Sequence, residues 1–180
     1  MGIRLTTARS RYSPALAAAV LALSLTVHAA AAQTVTFDQL DGSDNESPLN
    51  YYAGGYGSLG TGPGPNFGIT FSSNTLTGCE LSSNCANTID ANEAPSSPNL
   101  AFFVTGPAIT MDVAGGFTRG VSLYYSAPNE PGYLNVWSGV DDTGALLASV
   151  ALPMTENDGN SGCMGANFCP FYYFAASFAG

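Results

Sequence analysis

After residue 32 the apolar residues of this chain fall into short runs, alternating or rich in β-branched and aromatic residues. Gly, Pro, Asn, Asp and Ser separate the runs, and helical periodicity is nearly absent. A period of two places every second side chain on one face of a strand, so a chain of this kind builds sheets. Eight candidate strands follow, at 34–37, 68–72, 100–105, 109–113, 120–126, 132–138, 146–152 and 171–178. In the fifth, Val121, Leu123 and Tyr125 share a face; in the sixth, Leu134 and Val136 oppose Tyr133, Asn135 and Trp137. Asp141-Asp142-Thr143-Gly144 lies between two of the runs and reads as a hairpin turn. The fold expected is all-β, an antiparallel β-sandwich of jelly-roll type. Two long stretches, 41–66 and 79–99, read as irregular loops. Loops of that length in a compact domain are often functional.

The first 32 residues have a different character. Arg4, Arg9 and Arg11 precede an apolar Ala/Leu run over 14–27, and small residues follow from Ala29 to Ala32. This is the layout of a secretory signal peptide, with cleavage expected after Ala30 or Ala32. The apolar run is shorter than the ~20 residues that cross a bilayer. Residues 33–180 are then expected to form one domain with no membrane span in the mature chain. At the other end, the apolar pattern of 171–178 runs almost to Gly180, which leads to the expectation that one or two final strands lie beyond it.

Export leaves a narrow set of side chains. The only histidine, His28, lies in the leader, lysine is absent from the whole chain, and Arg119 is the one cation after residue 32. Against it stand thirteen acidic residues. Histidine relays and lysine Schiff bases are thereby excluded from 33–180. Nucleic acid is an unsuitable partner, because phosphate binding needs the Lys and Arg that are missing. Extracellular polysaccharide and other surface proteins remain as partners. The glycine run Gly54-Gly-Tyr-Gly-Ser-Leu-Gly60 is no phosphate loop, having neither a following helix nor a lysine.

Cys79, Cys85, Cys163 and Cys169 form two local pairs, each with five residues between. Four cysteines allow three connectivities. In an exported chain the local pairing, Cys79 with Cys85 and Cys163 with Cys169, is the economical choice. Loops this short gain roughly 2 kcal/mol each from the cross-link.

Three constellations could carry chemistry. Asp38, Asp41, Asp44 and Glu46 lie within nine residues, a carboxylate density suited either to a structural Ca²⁺ or to a solvated acidic loop. Tyr51, Tyr52 and Tyr56 sit among glycines, and with Trp137 they could offer stacking surfaces for a sugar or simply cover one end of the domain. A carboxylate glycosidase needs only two acids, and Glu46, Glu80, Glu93, Glu130 and Glu156 are available, although no pair is marked out by its context.

Thr34-Val-Thr-Phe-Asp38, the loop Tyr51-Tyr-Ala-Gly-Gly-Tyr-Gly57 running into Asn66-Phe-Gly-Ile69, the strand Gly120-Val-Ser-Leu-Tyr-Tyr-Ser126, and Leu134-Asn-Val-Trp137 with Asp142-Thr-Gly-Ala-Leu-Leu147 occur in this order. Together they resemble the β-sandwich ectodomains of exosortase-dependent (PEP-CTERM) bacterial surface proteins. The Pro-Glu-Pro sorting motif of that group does not occur in this sequence. The resemblance implies export, a surface or matrix location, a jelly-roll-like domain and no known catalysis. The role expected is that of a non-catalytic structural or adhesive protein. A calcium-dependent carbohydrate-binding module is the alternative, and a small glycosidase comes third.

Overall fold

The computed structural model describes residues 32–80, 88–89, 99–117, 119–128, 130–155, 168 and 170–177. Residues 33–180 cluster as one unit. The described residues contain nine strands and one three-residue 3₁₀ turn, Gly42–Asp44, so the fold is all-β. The strands are β1 (Ile69–Phe71), β2 (Leu76–Glu80), β3 (Thr88–Ile89), β4 (Asn99–Phe102), β5 (Met111–Val113), β6 (Gly120–Tyr125), β7 (Gly132–Trp137), β8 (Leu146–Leu152) and β9 (Tyr172–Ser177). Among the described residues no helix is long and apolar enough to cross a membrane.

These strands pair as four small sheets: β1 with β5, β2 between β3 and β4, β6 with β9, and β7 with β8. Every pairing is antiparallel except the short parallel contact of β2 with β3. The two broad facing sheets of a jelly roll are not among the described pairings. Six of the eight expected strands coincide closely with observed ones, and 100–105 appears as β4, shifted one residue toward the N-terminus and shorter.

Two departures are informative. Residues 34–37 have no ladder partner among the described residues, yet Val35 and Phe37 pack on the main apolar cluster as the alternation implies. Conversely, β2 begins inside a stretch that offers little strand signal. Gly78 interrupts it, and Thr77, one of its anchors, is polar but fully buried. Its hydroxyl donates to the Glu46 carbonyl oxygen at 2.7 Å, and its amide donates to the same oxygen at 3.1 Å.

The core lies in the first half of the domain. Leu40, Tyr51, Tyr52 and Ile69 are buried together, with Val35, Phe37, Phe67, Phe71, Met111 and Val113 packed around them. Tyr52 is the hub. Its ring stands edge-on to Phe37 at 6.1 Å, to Tyr51 at 5.0 Å and to Phe71 at 5.9 Å, and it stacks on Phe67 at 6.3 Å. Edge-to-face packing of this kind adds about 0.5–1.5 kcal/mol per pair to the area buried.

Candidate functional site

Glu46 is the most deeply buried acid among the described residues, with no exposed surface. Its Oε2 accepts the Asp41 amide at 2.8 Å, while Oε1 accepts the amides of Leu59 at 3.1 Å and Thr61 at 3.0 Å. Burial, the largest influence, pushes the carboxyl pKa up. Hydrogen bonds from the Thr61 hydroxyl and from the Asp41, Thr61 and Leu59 amides outweigh it, and the pKa falls below the ordinary value. Gly57 leaves the space required, since a Cβ there would overlap the carboxylate. Glu46 thus ties the two ends of the irregular 41–66 stretch together by satisfying amides that no sheet pairs.

Its acidic neighbours have separate tasks. Asp41 caps the 3₁₀ turn, accepting from the Ser43 hydroxyl and, at 2.9 Å, the Ser43 amide. The Ser43 hydroxyl first, and then its amide, hold the Asp41 carboxyl below its usual range. Asp38 accepts the Asn99 amide at 3.3 Å, and Asp44 is exposed on the turn. Among the described residues, no three His, Cys, Asp or Glu side chains converge as a metal-holding group. The four candidate calcium ligands are therefore not brought together as one set, because the Glu46 oxygens are taken up by amides.

The candidate sugar residues divide. Tyr51 and Tyr52 are core residues, which corrects their assignment as surface stacking platforms. Tyr52 is 3% exposed and its hydroxyl donates to the Thr36 carbonyl oxygen. Burial, followed by the nearby Tyr51 and Asp38, raises its phenol pKa well above the ordinary value. In a segment with few aliphatic side chains, these rings are the largest apolar groups available to fill the interior. Tyr56 is exposed on the glycine loop, apart from this cluster.

Trp137 lies in a different setting, at the end of β7. Tyr133, Asn135 and Trp137 alternate along one face of that strand, roughly 7 Å from one to the next. The β7–β8 register steps from Val136↔Ala148 to Trp137↔Leu146, passing over Leu147. Such bulges re-aim side chains. Beyond it, Asp141 and Asp142 have φ of 51° and 56°, and the Thr143 amide donates to the Val140 carbonyl at 3.1 Å. This is a type I′ turn, which matches the twist of paired strands. The expected hairpin turn is present, with the two aspartates taking left-handed conformations as well as Gly144.

The hairpin tip is fixed to the segment entering β5. Thr110 Oγ1 donates to Asp142 Oδ2 at 3.1 Å, and the Asp141 amide donates to Asp112 Oδ1 at 3.0 Å. Between that segment and β7 lies a pocket of about 300 Å³, lined by Pro107, Ile109, Tyr133, Asn135, Trp137 and Asp142 among others. Sequence reading found Trp137 but missed Asn135 and Asp142, whose roles depend on the 107–110 segment meeting the hairpin.

Cys79 on β2 is disulfide-bonded. Cys85, Cys163 and Cys169 lie outside the described residues, as do Glu93 and Glu156. Glu130 is exposed. No family model matches the chain, and no curated protein or solved structure matches it.

Proposed function

We propose that this chain is an exported, non-catalytic protein of the cell surface or extracellular matrix, acting by adhesion or as structure. The observation that carries this reading is the uncharged, ring-bearing surface of the second half. The strands β6, β7, β8 and β9 contain no charged residue, and they expose Tyr124, Tyr133, Leu146, Leu147, Tyr172 and Tyr173. Across the β6–β9 pair, the rings of Tyr124 and Tyr173 lie 5.1 Å apart. Exposed apolar surface beyond scattered single residues marks interaction sites. The signal-like leader and the resemblance to exosortase-dependent ectodomains support the same placement.

Fractionation of a bacterium expressing the tagged full chain tests the proposal. The protein is expected in the surface or matrix fraction, and Tyr124→Ser with Tyr173→Ser should release much of it to the medium. Recovery inside the cell, or unchanged retention of the double variant, would refute it. A second reading, as a carbohydrate-binding module, is favoured by one observation, the pocket beside Trp137.

A further inference from the structure

We infer that the pocket between β7 and the 107–110 segment is a subsite for one neutral pyranose unit of a glycan, an assignment that rests on reading the chain as an exported binding protein. A pyranose presents an apolar C–H face and a rim of hydroxyls. The pocket supplies a partner for each. Trp137 and Tyr133 bring aromatic rings to the lining from β7, beside Leu134, and Pro107 and Ile109 bring apolar groups from the 107–110 segment. The Asn135 amide donates and accepts, and the Asp142 carboxylate accepts from hydroxyls. At about 300 Å³ the pocket stands at the small end of the ~300–1,000 Å³ range of ligand sites, a size for one ring rather than an extended chain.

Charge narrows the ligand class. Asp142 is the one ionisable acid in the lining and no cation is among the lining residues, so uronic acids and sulfated sugars would be repelled. Neutral hexoses carry no such penalty, and their hydroxyls form charge-assisted bonds to the carboxylate.

Asp142 is also held in place before any ligand arrives. Its backbone is fixed by the type I′ turn, and its Oδ2 is engaged by the Thr110 hydroxyl at 3.1 Å. The Asp141–Asp112 hydrogen bond at 3.0 Å ties the same tip to β5 a second time. Both walls of the pocket are therefore connected through the turn, which lowers the ordering cost of binding.

Trp137 is the only tryptophan among nine tyrosines, so emission excited selectively in the indole reports on this pocket. The full exported chain is titrated with millimolar neutral gluco-, manno- and galacto-oligosaccharides, and in parallel with oligogalacturonate. A saturable change in emission is expected with at least one neutral series and none with the uronate. Asp142→Asn and Asn135→Ala should each weaken binding by about tenfold while the ligand-free emission and melting temperature stay unchanged. Flat titrations with every neutral sugar, or wild-type affinity in both variants, would overturn the assignment. A stronger response to oligogalacturonate would do so too. Flat titrations with intact surface retention remove the sugar subsite alone, whereas loss of retention removes the parent reading.

Discussion

The two halves of the domain reverse the usual relation between regularity and burial. Residues 35–71 are mostly irregular, yet they hold Leu40, Glu46, Tyr51, Tyr52 and Ile69 in the interior. The strands β6 to β9 are the longest runs of regular structure, and of their large apolar residues only Val136 is buried. A ladder satisfies backbone groups without requiring that side chains be covered. An irregular segment has no ladder, so it can be buried only if something else meets its amides. In this chain the Glu46 carboxylate accepts three of them, backbone carbonyls of neighbouring turns accept others, and aromatic rings fill the interior around them.

The largest expected effect is at the hub. Tyr52→Ala removes a ring with four aromatic neighbours and the bond to the Thr36 carbonyl, and should cost about 3–5 kcal/mol. Tyr133→Ala, at a position 67% exposed, should change stability by no more than about 0.5 kcal/mol. Urea denaturation of both variants measures the contrast. Equal losses would break it, showing that β7 depends on its outer ring as much as the interior depends on Tyr52.

Next comes Glu46. Glu46→Gln keeps the shape but turns a charged acceptor of several donors into a neutral amide, and should cost about 2–3 kcal/mol. The folded pKa is depressed below the ordinary 4.5. Its stabilisation is therefore complete above that value and is lost as pH falls through the folded pKa. Asp41 is shifted in the same direction, so the informative quantity is the difference between wild type and variant. That difference in urea midpoint should shrink on acidification below about pH 4.5. A gap that stayed constant with pH would show that the loss comes from the amide NH₂ replacing an acceptor oxygen and not from the charge.

The same contrast explains what could be read from sequence. The strands β6 to β9 are legible because alternation is a local property. The expected 146–152 is β8 to the residue, and the alternation in β7 correctly separates buried Val136 from exposed Tyr133. Glu46 is not legible in this way. Among Asp, Ser and Asn it looks like part of a solvated or metal-binding loop, and its partners at 59 and 61 are ordinary backbone amides. The one available hint is the run of small residues from Gly54 to Gly64, which lets backbone approach a carboxylate closely. Tyr51 and Tyr52 mislead for a related reason. Tyrosine among glycines reads as surface, while the rings that enclose it, Phe37, Phe67 and Phe71, come from separate segments. At the pocket, Trp137 is visible as the only tryptophan, but Asp142 acquires its place from Thr110, 32 residues away.

Smaller than the loss at Glu46 is the effect on stability expected at the Tyr124–Tyr173 ring pair. Tyr173 is 61% exposed and lies 5.1 Å from Tyr124, its cross-strand partner in the β6–β9 register. An aromatic cross-strand pair contributes roughly 0.2–1 kcal/mol, so Tyr173→Ser should lower stability by less than about 1 kcal/mol. Association should respond far more than folding, because the substitution removes a large apolar group from a face with no charge on its strands. Sedimentation velocity together with urea denaturation separates the two quantities. A reduced tendency to associate at nearly unchanged stability would show that the second half keeps its rings outside for contact. A loss as large as that of Tyr52→Ala would show instead that the β6–β9 pair is held by its outer rings. The division between a buried irregular half and an exposed regular one would then fail at the place where it is drawn most sharply.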